Sequence, residues 1–378
     1  MGTLQNELRG SPMIETYDSG SLPYTEGFDE KKFLEGTALF SSNPLHDSAQ
    51  YFEKTITEVF IDKAMAGMDI PSYPQYRDIN QMFLEPIDGA EKVKGGYIQT
   101  GLLSLKREYS IIPEVFALQR NSQKISERIG EPLKIRVCIV GPHILSSFFN
   151  YRNSEIFGKL SDIISQMVED NIFAEKRASV SIFSLEEPLF GLLDDPLVSY
   201  GSEGRDILLK AWESILSKAK AKGVQTAFHL HRTTDELFWQ INSLNIIEAP
   251  VDDAIYEMRK TKQLLDSTDK CLMASICTND FDKLIKEKIL KSSPQTSALT
   301  IGDQTAEAWK DIKAGKLKPE TFLESIDLVK NRLLKIVERF SAEKVPYAGP
   351  ECGLKGFPSY NCAIECLKRV SKATRSVK

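Results

Sequence analysis

The chain alternates short apolar segments with longer segments of helical periodicity, and this alternation limits the folds open to it. Eight segments have the length and residue types of buried strands. They are Ile14 to Leu22, Met68 to Tyr73, Ile135 to Gly141, Val180 to Glu186, Val224 to His231, Leu244 to Glu248, Leu272 to Cys277 and Tyr347 to Cys352. Strands that alternate with helices favour a parallel sheet with crossover helices, and eight such units favour a closed (β/α)8 TIM barrel.

Helical periodicity is clearest in four of the intervening segments. These are Asp206 to Ala221, Asp253 to Leu265, Phe281 to Leu290 and Glu320 to Phe340. No glycine-rich dinucleotide or P-loop pattern follows any of the strands, which disfavours a nucleotide-binding open sheet. We therefore predict an α/β protein built on a single barrel.

Two segments exceed what a minimal barrel needs. Gly95 to Gly101 indicates an extra strand or hairpin before the helical segment Glu114 to Ile129, and Lys291 to Pro319 is a long polar connection. Loops of that length are usually functional or disordered. We expect both segments to cover the C-terminal face of the barrel.

Composition excludes several classes of partner. The chain has 378 residues, of which 42% are hydrophobic and 27% charged, and its net charge of -5 gives no electrostatic footprint for nucleic acid. No segment approaches the roughly 18 apolar residues that span a bilayer, and the N-terminal residues lack the pattern of a signal peptide. Six cysteines in so long a chain do not form a disulfide framework. We expect a cytoplasmic protein without nucleic-acid or membrane partners.

Three of the strand-like segments end in residues that bind metals. Val224 to His231 carries His229 and His231, which would share one face of the strand because side chains alternate. Glu248 ends another segment and Cys352 a third. Nitrogen, carboxylate and thiolate are all zinc ligands, and catalytic residues of (β/α)8 barrels lie at strand ends. The pattern favours a metal site at that face.

Each of these residues alone has a simpler interpretation. His229 fits a hydrogen-bonded core residue, Glu248 a surface carboxylate at a strand end, and Cys352 a small buried hydrophobe. The metal interpretation depends on their occurrence together.

Six motifs resemble those of the cobalamin-independent methionine synthase family, and they occur in the same order. His229-Leu230-His231 resembles its His-x-Cys motif, Glu248 its strand-end glutamate, and Pro350 to Lys355 (PECGLK) its Pro-Asp-Cys-Gly-Leu-Lys motif. Three further segments are similar to its Gly-Ser-Phe-Pro, Gly-Pro-Val-Thr-Met-Leu and Ile-Asp-Glu-Pro-Ala motifs: Ser19 to Pro23 (SGSLP), Gly141 to Leu145 (GPHIL) and Leu185 to Leu189 (LEEPL).

The resemblance implies zinc-dependent transfer of a methyl group to the thiol of homocysteine, an activity of the 5-methyltetrahydropteroyltriglutamate-homocysteine S-methyltransferase type. It implies a Zn2+ site formed by His229, His231, Glu248 and Cys352, with His231 in place of a cysteine. A thiol coordinated to zinc is deprotonated.

The resemblance also implies the residues that bind the amino acid part of the substrate. Glu186 would face its ammonium, which makes Glu186 a candidate catalytic and substrate-binding residue, and Ser21 would lie beside its carboxylate. Gln75 stands where the family has a second carboxylate, which weakens one ammonium contact.

The methyl donor implied by the sequence is a methylcorrinoid rather than methyltetrahydrofolate. Ser275 to Thr278 lacks the histidine that the family uses to protonate departing folate. A chain of 378 residues holds one barrel, so residues 1–378 correspond to the catalytic C-terminal half of the full-size enzymes and resemble short core forms that use a corrinoid or a corrinoid protein.

Two alternatives stay open. A related alkyltransferase that acts on another small thiol such as coenzyme M would explain Gln75, although the paired carboxylates Glu186 and Glu187 would repel a sulfonate. The other alternative is a repurposed, non-catalytic barrel.

His143 is a second candidate catalytic residue. It follows the Gly141-Pro142 turn, from which its side chain would reach the substrate or a corrinoid. A solvated loop histidine is the alternative.

Overall fold

The computed structural model describes residues 13–295 and 297–377. Its strands, in chain order, are β1 Glu15–Thr16, β2 Ile87–Val93, β3 Gly96–Leu105, β4 Leu133–Val140, β5 Ala178–Glu186, β6 Gln225–His229, β7 Ile246–Glu248, β8 Cys271–Cys277 and β9 Tyr347–Pro350. Seven of them form one parallel sheet in the order β1-β9-β8-β7-β6-β5-β4, and β2 and β3 form a separate antiparallel hairpin.

The helices fall mainly between the strands of the sheet. They are α1 Glu30–Leu39, α2 Asp47–Met65, α3 Ile79–Leu84, α4 Pro113–Arg120, α5 Ser122–Ile129, α6 Pro142–Ser147, α7 Glu155–Asn171, α8 Glu203–Ala221, α9 Arg259–Thr268, α10 Phe281–Ser292, α11 Ala298–Lys313, α12 Ile326–Phe340 and α13 Tyr360–Arg375. The predicted α/β class with a parallel sheet is confirmed.

The sheet curls until its two edge strands reach the same segment. Ile70 donates its backbone N–H to Thr16 of β1, and Arg136 of β4 donates its own to Pro71. This segment is predicted as a strand over Met68 to Tyr73, but it makes only isolated bridges, to Tyr17 directly after β1 and to Arg136 of β4. Pro71 has no N–H to donate, which interrupts a regular ladder. The structure is a curled, seven-stranded parallel half-barrel.

Hydroxyl and carboxylate caps determine where several helices begin. Ser202 caps α8, Asp280 caps α10 and Ser325 caps α12, each accepting a hydrogen bond from a backbone N–H three residues on. Such caps satisfy N–H groups that have no partner within the helix. Because Ser325 is the cap, α12 begins at Ile326 and not at Glu320 as its periodicity predicts.

The two segments outside a minimal barrel are both structured. The hairpin predicted around Gly95 to Gly101 is present as β2 and β3, and Tyr97 joins it to the segment after α6 through the backbone of Phe148. The polar segment Lys291 to Pro319 was predicted as a connection, but it contains the 16-residue helix α11. Ser297 caps this helix by accepting from Thr300 N–H, a signal that was present in the sequence.

Buried side chains form two clusters. The large cluster contains most of the buried apolar residues of the sheet and its helices. A small separate cluster takes its residues from successive strands and from the segment that joins the two edges: Tyr17, Ile70, Ile182, Ala227, Ile246 and Met273. Side chains that alternate along curled parallel strands produce this division.

No helix within the described residues has both the length and the apolar character needed to cross a membrane.

Candidate metal centre

Three neighbouring parallel strands end side by side in Glu186, His229 and Glu248. Glu186 of β5 is the register partner of His229 in β6, and His229 is the partner of Glu248 in β7. Their side chains meet as well: His229 Nδ1 lies 3.2 Å from Glu248 Oε2, and His229 Nε2 lies 4.0 Å from Glu186 Oε2. Ends of parallel strands are where α/β proteins place reactive groups.

His231 and Cys352 meet at the same edge of the sheet. His231 follows the end of β6 by two residues, Cys352 follows the end of β9 by two, and Cys352 Sγ lies 3.7 Å from His231 Nε2. One donor atom from each of His229, His231 and Cys352 lies within 4.8 Å of the others. His229 is 2% exposed, whereas the other two are more accessible. Two imidazoles and a thiol are donors that suit zinc.

The surrounding charges favour the thiolate form of Cys352. Burial raises the pKa of this thiol, but hydrogen bonds with His229 and His231 outweigh burial and lower its pKa to about 6. Burial lowers the pKa of His229, while the carboxylates of Glu248 and Glu186 raise it well above its ordinary value. Because the thiolate is the form that binds metals, the environment prepares Cys352 as a ligand.

Arg136 is a site residue that sequence reasoning missed. It projects from β4, its side chain is fully buried, and its Nη1 and Nη2 atoms donate to the two oxygens of Glu248. Nη2 also donates to Ser184 Oγ at 2.9 Å and to Glu186 Oε1 at 3.4 Å. The guanidinium lies over the ring of Tyr17, 5.1 Å from its centroid. The available signal was a lone arginine in the apolar run Leu133–Val140.

Arg136 joins the two carboxylates of the centre. Its Nη2 donates to both Glu186 and Glu248. Buried charges are stable when they are paired or when they lie beside a metal. The two carboxylates and the nitrogen and sulfur donors of His229, His231 and Cys352 therefore fit a divalent cation.

Ser21 lies beside the loop that carries Cys352, and Gln75 lies beside Gly20, the residue that precedes Ser21. Leu354 N–H donates to Ser21 O at 2.8 Å, and Gly353 leaves so little room that an added Cβ would lie 1.9 Å from Ser21 Oγ. Gln75 is 4% exposed and packs against Gly20, whose φ of +100° suits glycine. Gln75 Nε2 has no hydrogen-bond partner among the described residues.

Two solved structures share this fold over nearly the whole chain. A B12-independent methionine synthase from Shewanella sp. W3-18-1, in complex with selenomethionine, matches with a TM-score of 0.63 and 15% identity over 97% of this chain and 98% of its own. A putative vitamin-B12 independent methionine synthase from Listeria monocytogenes matches with a TM-score of 0.58 and 14% identity over 98% and 99%. The chain is similar in fold to B12-independent methionine synthases. No protein-family model and no curated protein matches its sequence.

The resemblance deduced from the ordered motifs is thus confirmed by fold. The chain and these two synthase structures cover one another almost from end to end, so the likeness is not confined to a part of either. At 14–15% identity the likeness establishes the fold alone.

Glu351 fixes the part of the synthase-like PECGLK motif that precedes Cys352. Its Oε1 accepts from Thr278 Oγ1 at 2.6 Å and from Asn279 N–H at 2.9 Å, and its Oε2 accepts from Val251 N–H at 2.9 Å. The carboxylate therefore joins the loops that follow β7, β8 and β9, and it sets the position of the neighbouring thiol.

A buried ion pair fixes the segment that carries Ser21. Lys63 Nζ lies 2.7 Å from Asp18 Oδ2 and donates to Gly20 O and Ser72 O, both at 3.0 Å. Asp18 in turn accepts from the backbone of Gly20 and Ser72. The segment after β1 is thus tied to the segment that joins the two edges of the sheet.

His143 lies in a different set of contacts from the three metal donors. Its Nε2 is 3.1 Å from Asp195 Oδ2, which also accepts from Arg152 at 2.8 Å, and its ring meets that of Phe190 edge-on. Burial lowers the pKa of His143, so the imidazole is neutral near pH 7. Its catalytic role stays a prediction.

Proposed function

We propose that this chain is a zinc-dependent methyltransferase that moves a methyl group to the sulfur of homocysteine. The observation that carries the proposal is the convergence of His229, His231 and Cys352 beside two buried carboxylates at the carboxyl ends of the parallel strands. The fold shared with the B12-independent methionine synthases supports it.

The ligands of the proposed zinc site come from strand ends and from the loops that follow them. His229, His231 and Cys352 would hold the ion, with Glu248 beside them as the fourth member of the ligand set inferred from sequence. When bound there, zinc would lower the pKa of a coordinating substrate thiol enough to remove its proton near neutral pH.

Residues of the chain would orient the rest of the substrate. Glu186 retains 13% side-chain exposure and would accept hydrogen bonds from the substrate ammonium. Ser21 lies next to the Cys352 loop and Gln75 packs against the neighbouring Gly20, and both would bind the polar end of the substrate. Holding the sulfur in line with the methyl donor supplies much of the acceleration in a displacement of this kind.

A methylcorrinoid is the donor that the chain supports better. Departing folate must be protonated, whereas departing cobalt needs no acid. Thr278 donates its hydroxyl to Glu351, and Cys277 is buried in contact with Cys366, with sulfur atoms 3.1 Å apart. This contact and burial raise the pKa of Cys277, which makes it a poor acid.

The proposal treats residues 1–378 as one catalytic (β/α)8 barrel. In that arrangement the segment around Ile70 and Ser72, which bridges to Tyr17 after β1 and to Arg136 of β4, would be the eighth strand and would close the barrel.

One alternative has an observation in its favour. A thiol without an ammonium group, such as coenzyme M, would be recognised by the unpaired Nε2 donor of Gln75, and Arg136 would reduce the repulsion from Glu186. The same metal centre would then alkylate a different thiol.

The experiment is a matrix of methyl donors and thiols. Purified protein loaded with zinc is incubated with methylcobalamin or methyltetrahydrofolate, and with homocysteine or coenzyme M, and thioether products are measured by mass spectrometry. We expect methionine from methylcobalamin and homocysteine. Methylated coenzyme M alone would favour the alternative, and the absence of any thioether would contradict thiol alkylation.

A further inference from the structure

Glu248 faces Arg136 and not the open part of the centre. Both of its oxygens accept from the guanidinium, through Nη1 at 3.3 Å and through Nη2. Oε2 also lies 3.2 Å from His229 Nδ1. The group of donor atoms within 4.8 Å of one another contains those of His229, His231 and Cys352 and leaves Glu248 out.

The two ring nitrogens of His229 approach different carboxylates. Nδ1 lies 3.2 Å from Glu248 Oε2, although it makes no hydrogen bond among the described residues, and Nε2 lies 4.0 Å from Glu186 Oε2. A histidine that binds a metal through one nitrogen usually donates the N–H of its other nitrogen to a carboxylate, which sets the tautomer and the ring orientation.

We propose that Glu248 is a positioning residue behind His229, held there by Arg136, and that the metal has three protein ligands: His229 Nε2, His231 and Cys352. The inference rests on the proposed function for the presence of the metal. It differs from the four-ligand set suggested by the sequence.

The structure provides the means to keep Glu248 in this role. Arg136 is completely buried, and its guanidinium donates to Glu248 and to Glu186. Its Nη2 is also bonded to Ser184, so the guanidinium cannot follow Glu248 toward the other donors without losing that bond. For Glu248 to become a ligand, Arg136 would have to give up a charged, hydrogen-bonded contact.

A centre of this type has one anionic protein ligand and a free fourth position. Cys352 supplies the single negative charge, and His229 and His231 are neutral when they bind a metal. Catalytic zinc sites commonly combine three protein ligands with one exchangeable position. The substrate sulfur would enter at that position without displacing a protein group.

Cobalt(II) substitution tests the ligand count, because its visible absorption reports the number and type of ligands. We expect Glu248→Gln to keep the band positions and intensities of the parent and to lower cobalt affinity by about 10–100-fold, the usual effect of removing an outer carboxylate. A changed spectrum in Glu248→Gln would overturn the inference, since it would show that Glu248 binds the metal directly.

Arg136 variants provide a second test. In Arg136→Met the carboxylate of Glu248 is released, so we expect it to bind the cobalt and to change the spectrum. The double variant Arg136→Met/Glu248→Gln should again give the spectrum of the parent. Arg136→Lys keeps the charge and should resemble the parent. If Arg136→Met binds cobalt with the parent spectrum, Arg136 does not hold Glu248 back. If that variant does not fold, the Glu248→Gln spectrum decides.

The two proposals fail in different ways. A parent protein that binds cobalt but shows no change with homocysteine would contradict the proposed function, while an unchanged Glu248→Gln spectrum would still support the positioning role. A changed Glu248→Gln spectrum together with a response to homocysteine would overturn only the three-ligand centre. A parent that binds no cobalt would contradict both.

Discussion

Cys352 Sγ lies 3.7 Å from His231 Nε2, although 121 residues separate them along the chain. The contact exists because β6 and β9 run parallel in the same sheet, so the loops that follow them leave from the same edge. A thiol and an imidazole in this relation can share a proton or a metal ion. The candidate function depends on this contact.

Replacing Cys352 by serine should remove most of the bound metal. A serine hydroxyl is not ionised near neutral pH, so the charged ligand is lost and thiol alkylation should fall nearly to background. Circular dichroism and thermal unfolding should stay close to those of the parent, because Cys352 is only half-buried. The matched control is Cys271→Ser, a partly buried cysteine at the start of β8, which should keep the metal. A Cys352→Ser protein that binds metal like the parent would show that the ligand set is wrong.

Gly353→Ala should impair substrate binding more than stability. The added methyl would lie 1.9 Å from Ser21 Oγ, so the hydroxyl must turn away from the Cys352 loop. We expect KM for the thiol to rise several-fold while the free energy of unfolding changes by less than about 1 kcal/mol. Gly356→Ala is the control, because a Cβ there meets nothing within 4 Å. Equal KM values for the two variants would argue against Ser21 as a substrate contact.

Glu186→Gln should weaken the binding of a thiol that carries an ammonium group. A hydrogen bond to a charged group contributes about 1.5–3 kcal/mol, so we expect the KM for homocysteine to rise by about 10–100-fold. With 4-mercaptobutanoate, which lacks the ammonium, parent and variant should differ little. Steady-state kinetics with both thiols check this. A loss of the same size with both thiols would place Glu186 in another role.

Glu187 should make folding stability depend on pH. Burial raises the pKa of its carboxyl to about 7, although Trp212 and the backbone N–H groups of His143 and Ile144 donate to it and oppose the rise. The folded protein therefore holds a proton that the unfolded chain releases near pH 4.5. Stability from this group is complete below about pH 4.5 and decreases as pH rises toward 7, by about 3 kcal/mol in all.

Chemical denaturation at several pH values measures this dependence. Glu187→Gln cannot ionise, so its stability should vary less between pH 5 and 7 than that of the parent. Glu155→Gln, which replaces a side chain that is 70% exposed, should keep the parent profile. A Glu187→Gln profile that parallels the parent would contradict the assignment.

The positions of the strands could be predicted because most strands of the parallel sheet lie in apolar runs bounded by helical or polar segments. Seven of the eight predicted runs overlap strands of the sheet, although β1 covers only Glu15–Thr16 of the run Ile14 to Leu22. The exception, Met68 to Tyr73, lies between the two edges of the sheet as predicted, but it is interrupted at Pro71. The sequence shows this proline, but it does not show whether a backbone N–H at that position would have to donate to a neighbouring strand. The helix within Lys291 to Pro319 was missed because its exposed surface weakens the apolar periodicity.

The candidate site could be predicted only in part. Donors at strand ends are visible in the sequence because a strand fixes where its last side chain points, as for His229. The partner of a buried charge is not visible in this way: Arg136 lies 112 residues before Glu248, and their contact depends on how the sheet curls. Whether Glu248 binds the metal or positions His229 depends on that contact.

Zinc-dependent thiol activation is tested by the metal content of the purified protein, with an X-ray absorption edge recorded before and after addition of homocysteine. We expect about one zinc per chain and one additional sulfur ligand when homocysteine is present. Zinc with an unchanged ligand set after homocysteine, or a protein without bound metal, would contradict zinc-dependent activation of this thiol.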